Sequence, residues 1–266
     1  MINRKLLLLL IIALSVQTIK AQLGFSHEVG AIVGPVAFQS DYGVNQNFDT
    51  NKGNVGIGIG LVHYINFAYR ADCNCYTKDT YFNDHFKLRN EISWNKTKLN
   101  HFGEWTHGES QYSRALIGTE GTATVLDIGS QIEYFPYSIR DFAAGGYSFA
   151  PYVSLGVHYN SYTPKFEKNA EAQAVEALVA TPANLQDETL NIWRAESYTQ
   201  EQASTWSIVW SVGTRYKLTP LSDLLVDLRW QYYFSDWVDG LNHNGPADKN
   251  YDWNLWLNFG YVYYLD

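Results

Sequence analysis

The stretch that decides the fold is 253–265, which reads Trp253-Asn254-Leu255-Trp256-Leu257-Asn258-Phe259-Gly260-Tyr261-Val262-Tyr263-Tyr264-Leu265. Every second residue from Trp253 to Leu265 is apolar, and the residues between them include asparagine and glycine. Side chains of a β-strand point alternately to opposite faces, so the stretch predicts one strand with an unbroken apolar face. It is longer than the ~5–6 residues of an ordinary strand and long enough for the ~9–11 residues with which a tilted strand crosses a bilayer.

Seven earlier runs show the same alternation between apolar and polar or glycine residues. They are 25–38, 55–69, 85–99, 125–135, 149–162, 205–217 and 224–234. With the closing stretch they predict eight strands, and an even number is typical of bacterial outer-membrane barrels. We therefore predict an all-β fold, an eight-stranded antiparallel up-and-down transmembrane β-barrel with long extracellular loops.

Alternation alone does not tell which face points inward, and a soluble, lipocalin-like barrel would bury the apolar face. Glycine favours the opposite orientation, because it lies on the polar faces and makes room inside a narrow barrel. The apolar faces also carry too many tryptophan and long aliphatic side chains for the lumen of eight strands. We expect outer connections at about 39–54, 100–124, 163–204 and 235–252, and shorter inner ones at about 70–84, 136–148 and 218–223.

Aromatic residues gather near the predicted strand ends, as in the two girdles of a membrane barrel. The lower girdle would hold Phe67, Tyr69, Tyr134, Phe135, Tyr137, Tyr216, Tyr261 and Tyr263, and the upper one Trp94, Tyr159, Tyr162, Trp230, Tyr232 and Phe234.

The N-terminus has the form of a secretory signal peptide. Arg4 and Lys5 precede an apolar core, 6–14, and Ala21 offers a small residue at the cleavage site. We predict a signal peptide at 1–21, an outer-membrane barrel at 22–266, and therefore location in the outer membrane. The formal net charge of −8, and −11 after loss of the three basic residues of that peptide, argues against a nucleic-acid partner.

The polar faces carry charges of both signs on several strands. They are Glu28, Lys87, Arg89, Glu91, Asp127, Glu133, Arg215, Asp227 and Arg229. Because side chains fill an eight-stranded lumen, we expect these charges to pair as a salt-bridged plug. A proton path or a ligand site would use the same residues and remains an alternative.

Other chemistry has weaker support, and we predict no catalytic residues, cofactor or metal. A lipid hydrolase embedded in the barrel needs serine and histidine within hydrogen-bond reach, but Ser154 and His158 lie roughly 13 Å apart along one strand. Gly56 to Gly60 departs from the dinucleotide fingerprint at Leu61. An oxygen-rich segment could hold calcium without matching an EF-hand. It contains Asp236, Asp239, Asn242, His243 and Asp248.

Two loop features stay open. Cys73 and Cys75 are too close for an ordinary zinc half-site, and they either pair in a strained loop or remain reduced. In the acidic loop 163–204, residues 167–178 are rich in helix formers and predict a short helix that ends near Pro182.

Three segments resemble a family of uncharacterised flavobacterial outer-membrane barrels. They are Ala71-Asp72-Cys73-Asn74-Cys75-Tyr76, His85-Phe86-Lys87-Leu88-Arg89-Asn90-Glu91 and Ser235-Asp236-Trp237-Val238-Asp239-Gly240-Leu241-Asn242. More distantly, the layout resembles the PorG-like barrels of the Bacteroidota type IX secretion machinery. The shared features are Glu28 to Gly30, Phe86 to Arg89, Pro151-Tyr152 and the aspartate-rich segment after the seventh strand.

The second resemblance implies a non-enzymatic scaffold that anchors periplasmic secretion-ring proteins in the outer-membrane lipid. The turn 70–84 is unusually rich in aromatic and charged residues for an inner turn, so we expect a partner to dock there. Its proposed contacts are Asp72, Cys73, Cys75, Tyr76 and Tyr81. A lipid-modifying hydrolase and a small-solute pore are the alternatives, and an eight-stranded lumen argues against a pore.

Overall fold

The computed structural model describes residues 25–43, 47–68, 80–103, 106–181, 184, 194, 197–241 and 251–265. The strands are β1 (Ser26–Gln39), β2 (Val55–Asn66), β3 (Phe86–Asn100), β4 (Thr119–Tyr134), β5 (Phe149–Lys168), β6 (Ala203–Thr219), β7 (Ser222–Tyr233) and β8 (Trp253–Tyr264). The helices are short: α1 (Phe48–Asn51), α2 (Tyr81–His85), α3 (Gln111–Ile117), α4 (Ile139–Ala143) and α5 (Ala170–Val179).

The eight strands form one closed barrel in sequence order. Each strand pairs antiparallel with the next, and β8 closes the sheet on β1, where Phe259 lies opposite Val33. Closure leaves no strand edge unpaired, which a lipid environment requires of a sheet. The predicted fold class is therefore confirmed. Among the described helices, none has the length and apolarity needed to cross a membrane.

The membrane orientation predicted from the sequence is also confirmed. Trp206 and Trp210 of β6 are 56% and 39% exposed, whereas Lys87, Arg89 and Glu91 of β3 are 1%, 0% and 4% exposed. Apolar side chains cover the barrel wall all around, among them Ile57, Leu61, Ile92, Ile128, Leu155, Val212 and Phe259. Water would not support an apolar surface of this extent, and lipid does. A polar interior inside an apolar wall is the architecture of an outer-membrane protein, so the barrel is an integral outer-membrane protein.

The hairpin of β4 and β5 is longer than predicted at its outer end. Its pairing continues from Val125 opposite Tyr162 to Thr119 opposite Lys168. This part was not predicted as strand, because residues 119–124 have small or polar side chains and lack an apolar face. Above the hairpin, α3 and α5 pack together through a small core of Ala115, Ala172, Val175 and Val179. The predicted helix at 167–178 is found at Ala170–Val179, since Asn169 caps its first turn.

Two aromatic residues assigned to the girdles point inward instead. Phe135 and Tyr162 are 2% and 4% exposed and belong to the interior clusters at the lower and upper ends. Phe135 follows the last residue of β4, and Tyr162 lies on the inward-facing register of β5. Tyr69, also assigned to the lower girdle, lies outside the described residues.

Glycine makes room for large side chains inside the barrel. A Cβ atom on Gly58 would overlap the indole of Trp256, and one on Gly129 would overlap the imidazole of His158. Trp256 and His158 are fully buried. The missing side chains therefore allow an indole and an imidazole to occupy a lumen that is only eight strands wide.

We expect Gly58→Ala to destabilise the folded barrel by about 1–3 kcal/mol, because the added methyl group overlaps the buried indole of Trp256. Urea unfolding in detergent micelles measures this change. Gly108→Ala is the control, since its nearest neighbour would be 3.4 Å away. Equal midpoints for the two variants would contradict the packing role of Gly58.

Candidate functional site

The lower half of the lumen holds a cluster of buried charges that we name the lumen network. The structure places all nine charged residues singled out in the sequence inside the barrel, at no more than 4% exposure. Eight of them, all except Asp127, form ion pairs with one another. Side chains alternate along each strand, so the same register that sends apolar residues to lipid brings these charges to one narrow space.

Glu91 is the centre of one half of the lumen network. Its carboxylate accepts two hydrogen bonds from Arg229, both of 2.6 Å, and it lies 2.8 Å from Nη2 of Arg89. Arg89 also donates to Asp227 at 2.8 Å. The hydroxyl of Tyr152 donates to the same Asp227 oxygen. Arginine suits this role because its planar fork satisfies two carboxylates at once.

Arg215 organises the other half. It donates to Glu28 at 2.5 Å and to Glu133 at 3.2 Å, and Lys87 donates to the second oxygen of Glu28 at 2.5 Å. Asp223, which was not singled out in the sequence, lies 3.7 Å from Arg215 and belongs to this group. It shares the inward face with Asp227 and Arg229, but the predicted strand began one residue after it.

Apolar and aromatic side chains close both ends of the lumen. At the periplasmic end, Ile139 and Phe142 of α4 are buried against Phe135 below the ion pairs. At the outer end, Val238 and Leu241 pack with other buried residues, namely Phe38, Tyr42, Leu99, Ala123, Val125, Tyr162 and Tyr233. The charges are thus enclosed between two apolar layers, which makes their mutual pairing obligatory.

Asp127 differs from the other lumen carboxylates because amides surround it. Asn160 and Gln231 donate to one of its oxygens and Asn95 to the other, with donor distances of 2.8 Å for Gln231 and 3.3 Å for Asn95. All four residues are buried. We expected a charged partner here, and hydrogen bonds from neutral amides replace it. The three amides could have been noticed in the sequence, since they alternate with lipid-facing residues on their strands.

The structure separates Ser154 from His158, the serine and histidine considered as a hydrolase pair. Ser154 lies 2.6 Å from the hydroxyl of Ser211 and donates to Gln131 at 2.9 Å. The side-chain nitrogen of Gln131 lies 3.3 Å from Nε2 of His158 and therefore stands between the two residues. Without an imidazole beside it, the Ser154 hydroxyl lacks the base that a nucleophile requires.

Three aspartates are buried together at the outer end. Asp252 accepts hydrogen bonds from the backbone N–H groups of Val238 and Asp239, and Asp239 accepts one from the backbone of Asp41 at 2.8 Å. Burial and the neighbouring Asp239, Asp41 and Asp236 raise the pKa of Asp252 well above its usual value. Of the calcium ligands considered, Asn242, His243 and Asp248 lie outside the described residues. Within the described residues, no group of three acidic, histidine or cysteine side chains is arranged to hold a metal.

Tyr81 is the described member of the proposed docking turn. It begins α2, is 63% exposed, and its hydroxyl lies 2.7 Å from that of Tyr134. Its ring stacks on His85 with centroids 4.1 Å apart. The other proposed contacts, Asp72, Cys73, Cys75 and Tyr76, lie outside the described residues.

We expect Glu91→Gln to destabilise the barrel by about 3–5 kcal/mol, because two buried guanidinium groups lose a shared counter-charge. Glu120→Gln is a matched control. It breaks an exposed pair with Lys98, 2.7 Å apart, which is worth at most about 1 kcal/mol. Urea unfolding followed by tryptophan fluorescence compares the two variants, and similar losses would contradict a structural role for the lumen network.

Asp252 predicts a pH dependence of stability. Its folded-state pKa is raised, so the folded protein retains a proton that the unfolded chain releases. The stabilisation is complete below the unfolded pKa near 3.8 and is lost as the pH rises toward the folded value. Asp252→Asn keeps an acceptor oxygen without ionising, so we expect a smaller fall in melting temperature between pH 4.5 and pH 8. An unchanged pH dependence in this variant would contradict the assignment.

No family model matches the chain, and no curated protein sequence is significantly similar to it. The barrel is similar to several solved structures. A major outer membrane protein from Thermus thermophilus has a TM-score of 0.44 at 13% identity, over 90% of this chain and 99% of that one. Ail, the attachment invasion locus protein of Yersinia pestis, has a TM-score of 0.41 at 10% identity, and the match covers 91% of this chain and 100% of Ail. Neisserial surface protein A has a TM-score of 0.41 at 12% identity, and the match covers 91% of this chain and 97% of that protein.

Proposed function

We propose that this chain is a non-enzymatic integral outer-membrane protein that anchors periplasmic partners, as a scaffold of the type IX secretion machinery. The observation that carries the proposal is the lumen network, with an apolar layer closing each end of the lumen. A filled barrel acts as a rigid membrane anchor, and the side chains that can contact partners then lie at its two ends.

The periplasmic end supplies the supporting surface. Tyr81 and Phe82 are 63% and 45% exposed, and Phe82 stacks on Phe86 at the start of β3 with centroids 4.8 Å apart. Exposed aromatic side chains that the protein itself holds in place are typical anchors of protein–protein contacts, because little entropy is lost when a partner covers them. The resemblance to PorG-like barrels gives the partner class, a protein of the periplasmic secretion ring.

The two alternative functions have less support. A small-solute pore requires an open path, and here buried arginine–carboxylate pairs between strands as distant as β3 and β7 cross the lumen. A lipid hydrolase requires a serine activated by a base, and Ser154 is bonded to Ser211 and Gln131. Planar-bilayer conductance tests the pore, and lipid analysis of a deletion strain tests the hydrolase.

We expect the double variant Tyr76→Ala, Tyr81→Ala to lose most of the periplasmic ring proteins that the tagged wild-type barrel recovers in mild detergent. Tyr251→Ala is the matched control, because Tyr251 is also exposed, at 44%, but lies at the opposite end of the barrel. Heat-modifiable migration in a gel verifies that each variant is folded. Equal recovery from the double variant and the control would contradict docking at this turn, and recovery of no envelope partner by the wild type would contradict the scaffold.

A further inference from the structure

A row of polar side chains crosses the lipid-facing wall, on the opposite side of the sheet from the lumen network. His27, His63, Asn90 and Ser130 lie on β1, β2, β3 and β4, on the same outer face as Leu61, Ile92 and Ile128. They occur within about five residues of the periplasmic strand ends, so the row faces the inner leaflet. Polar groups in contact with lipid are costly unless they are hydrogen-bonded.

The four side chains form one directional chain of hydrogen bonds. Ser130 donates to Oδ1 of Asn90 at 2.7 Å, and Nδ2 of Asn90 lies 3.4 Å from Nδ1 of His63. An amide nitrogen only donates, so Nδ1 of His63 accepts and its Nε2 carries the hydrogen toward Nδ1 of His27, 3.0 Å away. The second N–H of Asn90 remains for an acceptor in the surrounding lipid.

An apolar valley begins at this row and runs along β1 toward the middle of the membrane. Its floor is Val29, Ala31 and Val33. Larger side chains of the two neighbouring strands stand opposite each floor residue: Tyr263 and His63 beside Val29, Tyr261 and Leu61 beside Ala31, and Phe259 and Ile59 beside Val33. At Ala31 and Val33, beyond the polar row, the valley opens into a depression of about 770 Å³ that extends sideways to Ile59, Leu61, Ile92 and Phe259. That volume is within the ~300–1,000 Å³ usual for small-molecule sites.

The dimensions fit one acyl chain. Half of the ~30 Å hydrocarbon thickness is about 15 Å, which corresponds to about 20 Å along a strand tilted by ~40°. At ~3.3 Å per residue this is about six residues, the interval from His27 to Val33. The polar row therefore lies where the ester groups of an inner-leaflet lipid begin, and the valley extends for the length of its hydrocarbon tail.

We propose that this face binds one phospholipid of the inner leaflet. An acyl chain lies in the valley on Ala31, and its ester or phosphate oxygens accept hydrogen bonds from Asn90 and from the hydroxyl of Tyr263, which is 43% exposed. The site is continuous with the lipid-facing wall, so its natural occupant is a lipid that exchanges more slowly than its neighbours. A second copy of the chain is the competing occupant, and the test below distinguishes the two.

Native mass spectrometry of the delipidated barrel, titrated with 1-palmitoyl-2-oleoylphosphatidylethanolamine in detergent, tests the proposal. We expect the wild type to retain one lipid. Ala31→Phe fills the valley and Asn90→Leu removes the donor, and each should weaken retention by about tenfold. Val212→Phe and Thr214→Val make comparable changes on the lipid-facing side of β6, away from the valley, and should retain the lipid as the wild type does.

Wild-type retention in either Ala31→Phe or Asn90→Leu would overturn the proposal, as would loss of lipid in either control. A dimer that Ala31→Phe disrupts would overturn it in favour of a second copy. All four substitutions lie on the lipid-facing wall, and heat-modifiable migration verifies folding. If Ala31→Phe fails to assemble, Ala31→Leu makes the same test with a smaller side chain.

Discussion

The structure depends on the pairing of Arg89, Arg215 and Arg229 with carboxylates across the lumen. A sheet in lipid must close on itself, because a strand edge would leave backbone groups without partners. Closure with eight strands leaves an interior just wide enough for side chains, and lipid outside assigns the polar face of every strand to that interior. The charges that arrive there are shielded from water, so each needs a partner from another strand. Arg89 and Asp227, from β3 and β7, meet in this way at 2.8 Å.

The fold and the orientation of its faces were predictable because both follow from the alternation of apolar and polar residues at every second position. Alternation in β3 separates Leu88 and Ile92 from Arg89 and Glu91, and the glycines of β2 identify the inward face. The prediction of strand bounds failed where the alternation has no apolar residues, as in the outer part of β4. There the pairing with β5 continues in register beyond the apolar part of the wall. The boundaries of the predicted loops changed for the same reason.

The composition of the lumen was predictable, but its pairing was not. A sequence shows which charges share the interior, whereas barrel tilt and strand stagger decide which of them touch. Asp127 illustrates the difference, since it accepts hydrogen bonds from the amides of Asn95, Asn160 and Gln231. The arginines pair with other carboxylates, as Arg229 does with Glu91. The polar row on the outside was hidden for a related reason. His63 and Asn90 look like isolated interruptions of two apolar faces until the register places them side by side.

The cap formed by α3 and α5 on the tall β4–β5 hairpin has a separate consequence. Its core of Ala115, Ala172, Val175 and Val179 is distinct from the clusters inside the barrel, and Arg114 and Glu171 tie its two helices together at 3.1 Å. The cap can therefore melt or be rebuilt at the cell surface without breaching the membrane seal. Surface residues of the cap can therefore change without disturbing the wall beneath, which stays constrained by lipid and by its enclosed charges.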